Sequence, residues 1–164
     1  MVPTLKLLLT RELRAVKRQL EAFPDDESVW RSVPGLPNTA GTLALHVAGN
    51  LQHFLGAILG GDGYRRDRDA EFSRRGVPRS ELLRGIDAAI ASVERTLTGL
   101  SDEKLSATYP EPIAQRRVAT RDFLLHLATH LSYHLGQMDY HRRVITGDTR
   151  GLDAVSVREL PEGS

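Results

Sequence analysis

Four long stretches in which apolar residues recur every three or four positions constrain this chain most, because that period belongs to helices that each bury one face. The first runs from about Pro3 to Phe23, with Leu5, Leu8, Leu9, Leu13, Val16 and Leu20 in one stripe. Pro3 suits a first helical turn, and Pro24 with Asp25, Asp26 and Glu27 ends the stretch. A loop dense in proline and glycine follows, and Trp30 within it is expected to plug one end of the core. The second helix spans about Thr42 to Leu59, and Gly60, Gly61 and Gly63 stop it. The third runs from about Ser80 to Leu100, with Leu83, Ile86, Ile90, Val93 and Leu97 inward and Ser80 as N-cap. The fourth runs from about Arg121 to Ile145 and closes at Gly147, with Thr120 as N-cap.

These periods predict an all-α, four-helix bundle with moderately long loops. All 164 residues form a single domain, with a core over about 5–145 and an irregular tail over 146–164. The segment Leu152–Val157 in that tail is expected to pack as a short extended piece. Ser101 to Leu105 adds a short turn of helix, and residues 107–120 form a partly extended loop.

The formal net charge is only +1, and no basic stripe interleaved with aromatics occurs. Nucleic acid is therefore not an expected partner. No apolar run approaches the roughly 20 residues that span a bilayer. The N-terminus lacks the order of charge and apolar residues of a signal peptide, so a cytoplasmic location is expected. There is no cysteine, which excludes disulfides, thiolate ligands and a cysteine nucleophile. Any thiol chemistry must bring its thiol from outside.

The chain has six histidines, and four of them (His126, His130, His134 and His141) lie within sixteen residues. His126, His130 and His134 are spaced i, i+4, i+8 and share one helix face. Two imidazoles one turn apart can both reach an ion at about 2.0–2.1 Å. The outer two are separated by about 12 Å of rise, so one helix cannot supply all three. Two of the three are expected to ligate, with His46 or His53 of the second helix completing the set. A lone histidine on an apolar face is usually a hydrogen-bonded core residue, but a pair in an apolar stripe favours a metal. His141 is expected to be exposed.

The segment HLATHLSYHLGQ, with His130, His134, Gly136 and Gln137, resembles the closing helix of the DinB-like superfamily, H-x-x-x-H-x-G-Q. The pair Leu45–His46 resembles the start of that family's second helix. The likeness covers roughly Leu5 to Ile145. It implies a metal-binding four-helix bundle, in a superfamily that includes bacillithiol- and mycothiol-dependent S-transferases and YfiT-like hydrolases. It also implies that His46, His130 and His134 are the metal ligands. By the same resemblance His126 lines the pocket outside the ligand set, and homodimers are expected. His53 is too far along its helix to share the ion easily. Gln137 is expected to support a ligand or bond between helices, and Gly136 to allow close helix approach. Leu7, off the main stripe of the first helix, offers one apolar contact for a dimer.

Three neutral imidazoles leave open coordination positions, as in catalytic rather than structural sites. Zinc and nickel both suit them. Candidates for the base or positioning group are His53, His126 and Asn50. The loop Arg65–Glu71 reads as a solvated segment with internal ion pairs; the alternative folds it over the pocket, against a charged substrate. The leading expectation is a metal-dependent enzyme that transfers a low-molecular-weight thiol to a small electrophilic substrate. A hydrolase that uses metal-activated water and a non-catalytic metal- or ligand-binding stress protein are the alternatives.

Overall fold

The computed structural model describes residues 1–160. Its elements are α1 (Val2–Glu21), α2 (Asp26–Val29), α3 (Ala40–Leu51), α4 (Arg68–Ser73), α5 (Arg79–Thr98), α6 (Asp102–Ser106) and α7 (Thr120–Thr146). A π-helical segment, Gln52–Leu59, continues α3 without a break, and a short 3-10 turn covers Val157–Glu159. The four long elements form a bundle in which α1 packs on α5 and α7, and α3 packs on the same two helices. Leu5, Leu9, Leu13, Val16 and Leu20 of α1 are buried against Leu82, Ile86, Ala89, Val93 and Leu97 of α5 and the Phe123–Met138 stripe of α7. Among the described residues no helix is long and apolar enough to cross a membrane.

Several boundaries move. α5 begins at Arg79 after Pro78, and α7 begins at Thr120 after Ala119, so neither Ser80 nor Thr120 is a cap. The inward stripe of α5 is rotated slightly: Leu82 and Ala89 are buried, whereas Leu83 and Ile90 are half-buried at its edge. Trp30 is half-buried on the core, and its indole N–H donates to the Val77 carbonyl at 3.0 Å. Its ring fills the space where a Cβ on Gly41 would sit, which fixes the start of α3 beneath it.

The π segment widens the helix just beyond the turn that carries His46. Wide turns strain the usual backbone ladder, and side chains take up the slack. The Tyr109 hydroxyl donates to the Phe54 carbonyl at 2.7 Å, and the Thr96 hydroxyl to the Leu55 carbonyl at 3.0 Å. Phe54 then packs edge-on against Phe123 of α7, centroids 4.9 Å apart.

His141 is not exposed as expected. It is 1% exposed, and its Nε2–H donates to the Arg31 carbonyl at 2.8 Å. It lies seven residues after His134 and so falls on the same inward stripe. The tail over 152–159 is also not extended. It forms turns and the 3-10 segment, because arginines of the bundle grip its carbonyls. Arg11 donates to Ser156 O at 3.1 Å, and Arg18 to Leu152 O at 3.0 Å and Asp153 O at 3.1 Å; just before the segment, Arg142 donates to Asp148 O at 3.1 Å.

Arg142 is fully buried, with Gln19 Oε1 at 2.7 Å and Asp139 Oδ1 at 3.0 Å. Removing one member of a buried charged network strands the others. Arg142→Ala is expected to lower the unfolding free energy by about 3–5 kcal/mol in urea titrations. Arg150→Ala, which breaks a solvent-screened pair with Asp148, should leave the urea midpoint nearly unchanged.

Candidate metal centre

His46 sits in the second turn of α3 on the face turned to α7, and His130 and His134 lie one turn apart on the opposing face of α7. Their ring nitrogens meet. His46 Nε2 is 3.3 Å from His130 Nε2, which is 3.1 Å from His134 Nε2. Two ligands at about 2.05 Å from one ion, spread by a tetrahedral angle, stand about 3.3 Å apart. Both of those pairs have the spacing of two ligands on one ion, all three nitrogens lie within 4.8 Å of one another, and together they can hold a metal ion. His46 is buried, while His130 and His134 are half-buried, so the site opens on the α7 side.

The other ring nitrogens fix the tautomers. His46 Nδ1–H donates to Glu71 Oε2 at 3.0 Å, and His134 Nδ1–H donates to Gln137 Oε1 at 2.7 Å. Both rings then present an Nε2 lone pair to the centre. Glu71 is itself clamped: Arg66 Nε reaches Oε1 at 2.7 Å and Nη2 reaches Oε2 at 2.8 Å. Asp67 caps α4 by accepting from the Ala70 N–H at 2.9 Å, which sets the helix that carries Glu71. A Cβ on Gly49 would overlap the Glu71 carboxylate, so a glycine is what lets α4 approach α3 here.

Electrostatics favour neutral rings. Burial, then the neighbouring His134 and His46 imidazoles, push the His130 pKa down to about 4. Burial also lowers His134, against the opposing bond from Gln137. Burial raises the Glu71 carboxyl, but the bonds from Arg66 and His46 outweigh it and keep the group ionised. Metal binding needs just these protonation states, with imidazoles unprotonated and the outer carboxylate charged.

The remaining sequence candidates separate. His126 is exposed, stacks on Phe123 with centroids 5.9 Å apart, and lies 6.0 Å from the His130 ring centroid. His53 points elsewhere, with Nε2 4.0 Å from Glu111 Oε2. Asn50 is buried, and its Oδ1 has no hydrogen-bond partner. Gly136 does not serve close helix packing, since a Cβ there would meet nothing within 4 Å. The loop over 65–71 is not simply solvated: Glu71 is 6% exposed and Arg66 lies against it, beside His46. Sequence reasoning left these two within a run of alternating charges, where no period marks an inward residue. The signal was Asp67, a capping residue three positions before Ala70, which announces a short helix there.

His130→Ala is expected to abolish stoichiometric zinc or nickel binding in metal analysis, whereas His53→Ala and His126→Ala retain it. Glu71→Ala should weaken binding about 10–100-fold without abolishing it. The depressed His130 pKa carries a second consequence. The unfolded chain takes up a proton near pH 6.5 that the folded chain refuses until about pH 4. The metal-free protein should therefore lose stability as pH falls from about 6.5 to about 4, and His130→Gln should flatten that slope in melting curves.

The sequence matches the family model of the DinB superfamily over residues 8–138. The fold is similar to the crystal structure of a DinB-like protein from Bacillus cereus, with a TM-score of 0.66 and 20% identity. That match covers 82% of this chain and 86% of the other. No curated protein matches the sequence. On the strength of the family-model match over most of its length, this chain belongs to the DinB superfamily.

Proposed function

We propose that this protein is a divalent-metal-dependent enzyme that transfers a low-molecular-weight thiol to a small electrophilic substrate. The observation that carries this is the convergence of three imidazole nitrogens on one point at the edge of the bundle. A closed structural site would surround its ion with four protein ligands, and here the cluster holds three. Bound there, zinc or nickel would supply a Lewis acid that favours the thiolate over the thiol. The chain has no cysteine, so the nucleophile must be a cosubstrate.

The protein's own groups would divide the remaining work. Glu71 and Gln137 orient the rings of His46 and His134 through their Nδ1 protons. Arg66, paired with Glu71 and 5.7 Å from the Phe54 ring centroid, holds a positive charge beside the centre. His126 stands on the exposed side, where it can accept a proton from an arriving nucleophile. That same histidine supports the second reading, a hydrolase in which water replaces the thiol. We take the working form to be a cytoplasmic homodimer, and the exposed Tyr133, Tyr140 and Val144 of α7 offer an apolar face for it.

The test is conjugation of a generic electrophile by the zinc- or nickel-loaded protein, with several small thiols offered in turn. The expected result is a rate that requires metal and thiol together and falls to background in His130→Ala. A metal-dependent rate without any thiol would favour the hydrolase. No metal-dependent rate of either kind would overturn both.

A further inference from the structure

Gly136 lies inside α7, where glycine weakens a helix more than any residue but proline. A glycine is usually kept in such a place by a close neighbour or by a left-handed backbone. Gly136 has neither. A Cβ there would meet nothing within 4 Å among the described residues, and its φ is not positive. Its open space belongs to a cavity of about 430 Å³ between α7 and the chain that leads into α3. Tyr133, Gly136, Gln137 and Tyr140 face that cavity at the i, i+3, i+4, i+7 spacing of one helix face, and Leu36 and Leu43 face it from the other side. Gly136 is thus a notch between two tyrosines.

The lining sets the chemistry of an occupant. Charged residues make up 26% of the chain, yet none of them lines this cavity. An ion entering it would shed water without meeting an opposite charge, so the cavity favours a neutral molecule. Its walls are aromatic and held in place. The Arg143 guanidinium covers one side of the Tyr140 ring at 5.7 Å from its centroid, and Asp139 anchors that guanidinium at 2.8 Å. The Tyr133 ring stands edge-on to His134, centroids 5.4 Å apart. The size and the apolar walls with a few polar groups are those of a small-molecule pocket. The cavity also touches the metal centre, because Gln137 both lines it and accepts the His134 Nδ1 proton at 2.7 Å. A second copy of the chain is the rival occupant, since Tyr133 and Tyr140 are exposed. A stable protein interface covers roughly 800 Å² on each partner, and that demands a broad surface rather than a notch.

We infer that this cavity binds the uncharged, ring-bearing apolar body of a small molecule beside the metal centre, and that residue 136 is a glycine in order to admit it. In the reaction proposed above, that molecule is the electrophilic substrate. Only this last identification rests on the thiol-transfer reading. The selection of a neutral apolar ligand follows from the cavity itself.

Calorimetric titration of the zinc-loaded protein tests it with two probes of matched shape, methyl 2-naphthyl sulfone and 2-naphthalenesulfonate, which differ in charge. The neutral sulfone should bind at least about tenfold more tightly than the anion. Gly136→Leu puts a side chain into the notch and should weaken the sulfone at least about tenfold, with Gly136→Ala in between. Zinc content should hold in both variants. Their melting temperatures should stay level or rise, because both residues favour a helix more than glycine does and a Cβ there meets no neighbour. Sedimentation should show the same oligomeric state as the native chain. No binding of the sulfone, equal binding of the anion, or a sulfone affinity unchanged in Gly136→Leu would each overturn the inference. A change of oligomeric state in Gly136→Leu would assign the cavity to a second copy and overturn it as well. Binding is read without thiol or turnover, so failure of the conjugation assay and failure of this inference are separate results.

Discussion

The bundle depends on an electrostatic problem at the contact between α3 and α7. Three imidazole rings are pressed together with their Nε2 atoms 3.1 and 3.3 Å apart. On two of those rings the Nδ1 proton is committed outward, to Glu71 and to Gln137. Lone pairs therefore point inward. Extra protons cannot resolve the crowding near neutral pH, since burial and mutual repulsion push His130 down to about 4. A divalent cation at the shared point satisfies all three at once, and its binding energy would stabilise the fold that gathers them.

Much of the surrounding structure serves that contact. α4 is only six residues long, yet its cap at Asp67 and the glycine at position 49 bring Glu71 onto His46. Arg66 neutralises Glu71 and at the same time lies near Phe54, so it ties the loop to the widened end of α3. The π segment turns Phe54 toward Phe123, and the hydroxyls of Tyr109 and Thr96 take up its carbonyls. At the other side of the bundle, Arg11, Arg18 and Arg142 hold the tail by its main chain, which demands little of the tail's side chains.

The apolar period in the sequence shows the four helices because each buries one continuous stripe, and burial is the largest force on such a chain. The spacing of His130 and His134 likewise places two imidazoles on one face. Spacing could not choose between His46 and His53. That choice depends on which turn of α3 lies opposite α7, a property of tertiary packing. His141 was misread because charged neighbours on both sides mask its place on the inward stripe. Glu71 and Arg66 escaped for a related reason: a short capped helix in a charged loop has no period, and only the fold shows which charge turns in. The π segment has no local signature, since its stabilising hydroxyls come from residues more than forty positions away.

X-ray absorption on the zinc-loaded protein addresses the central claim most directly. The account predicts three imidazole nitrogens at about 2.0–2.1 Å, with the remaining positions filled by light solvent or buffer atoms. One imidazole would be lost in His46→Ala and none in His53→Ala. A spectrum with two imidazoles, or one unchanged by His46→Ala, would contradict it.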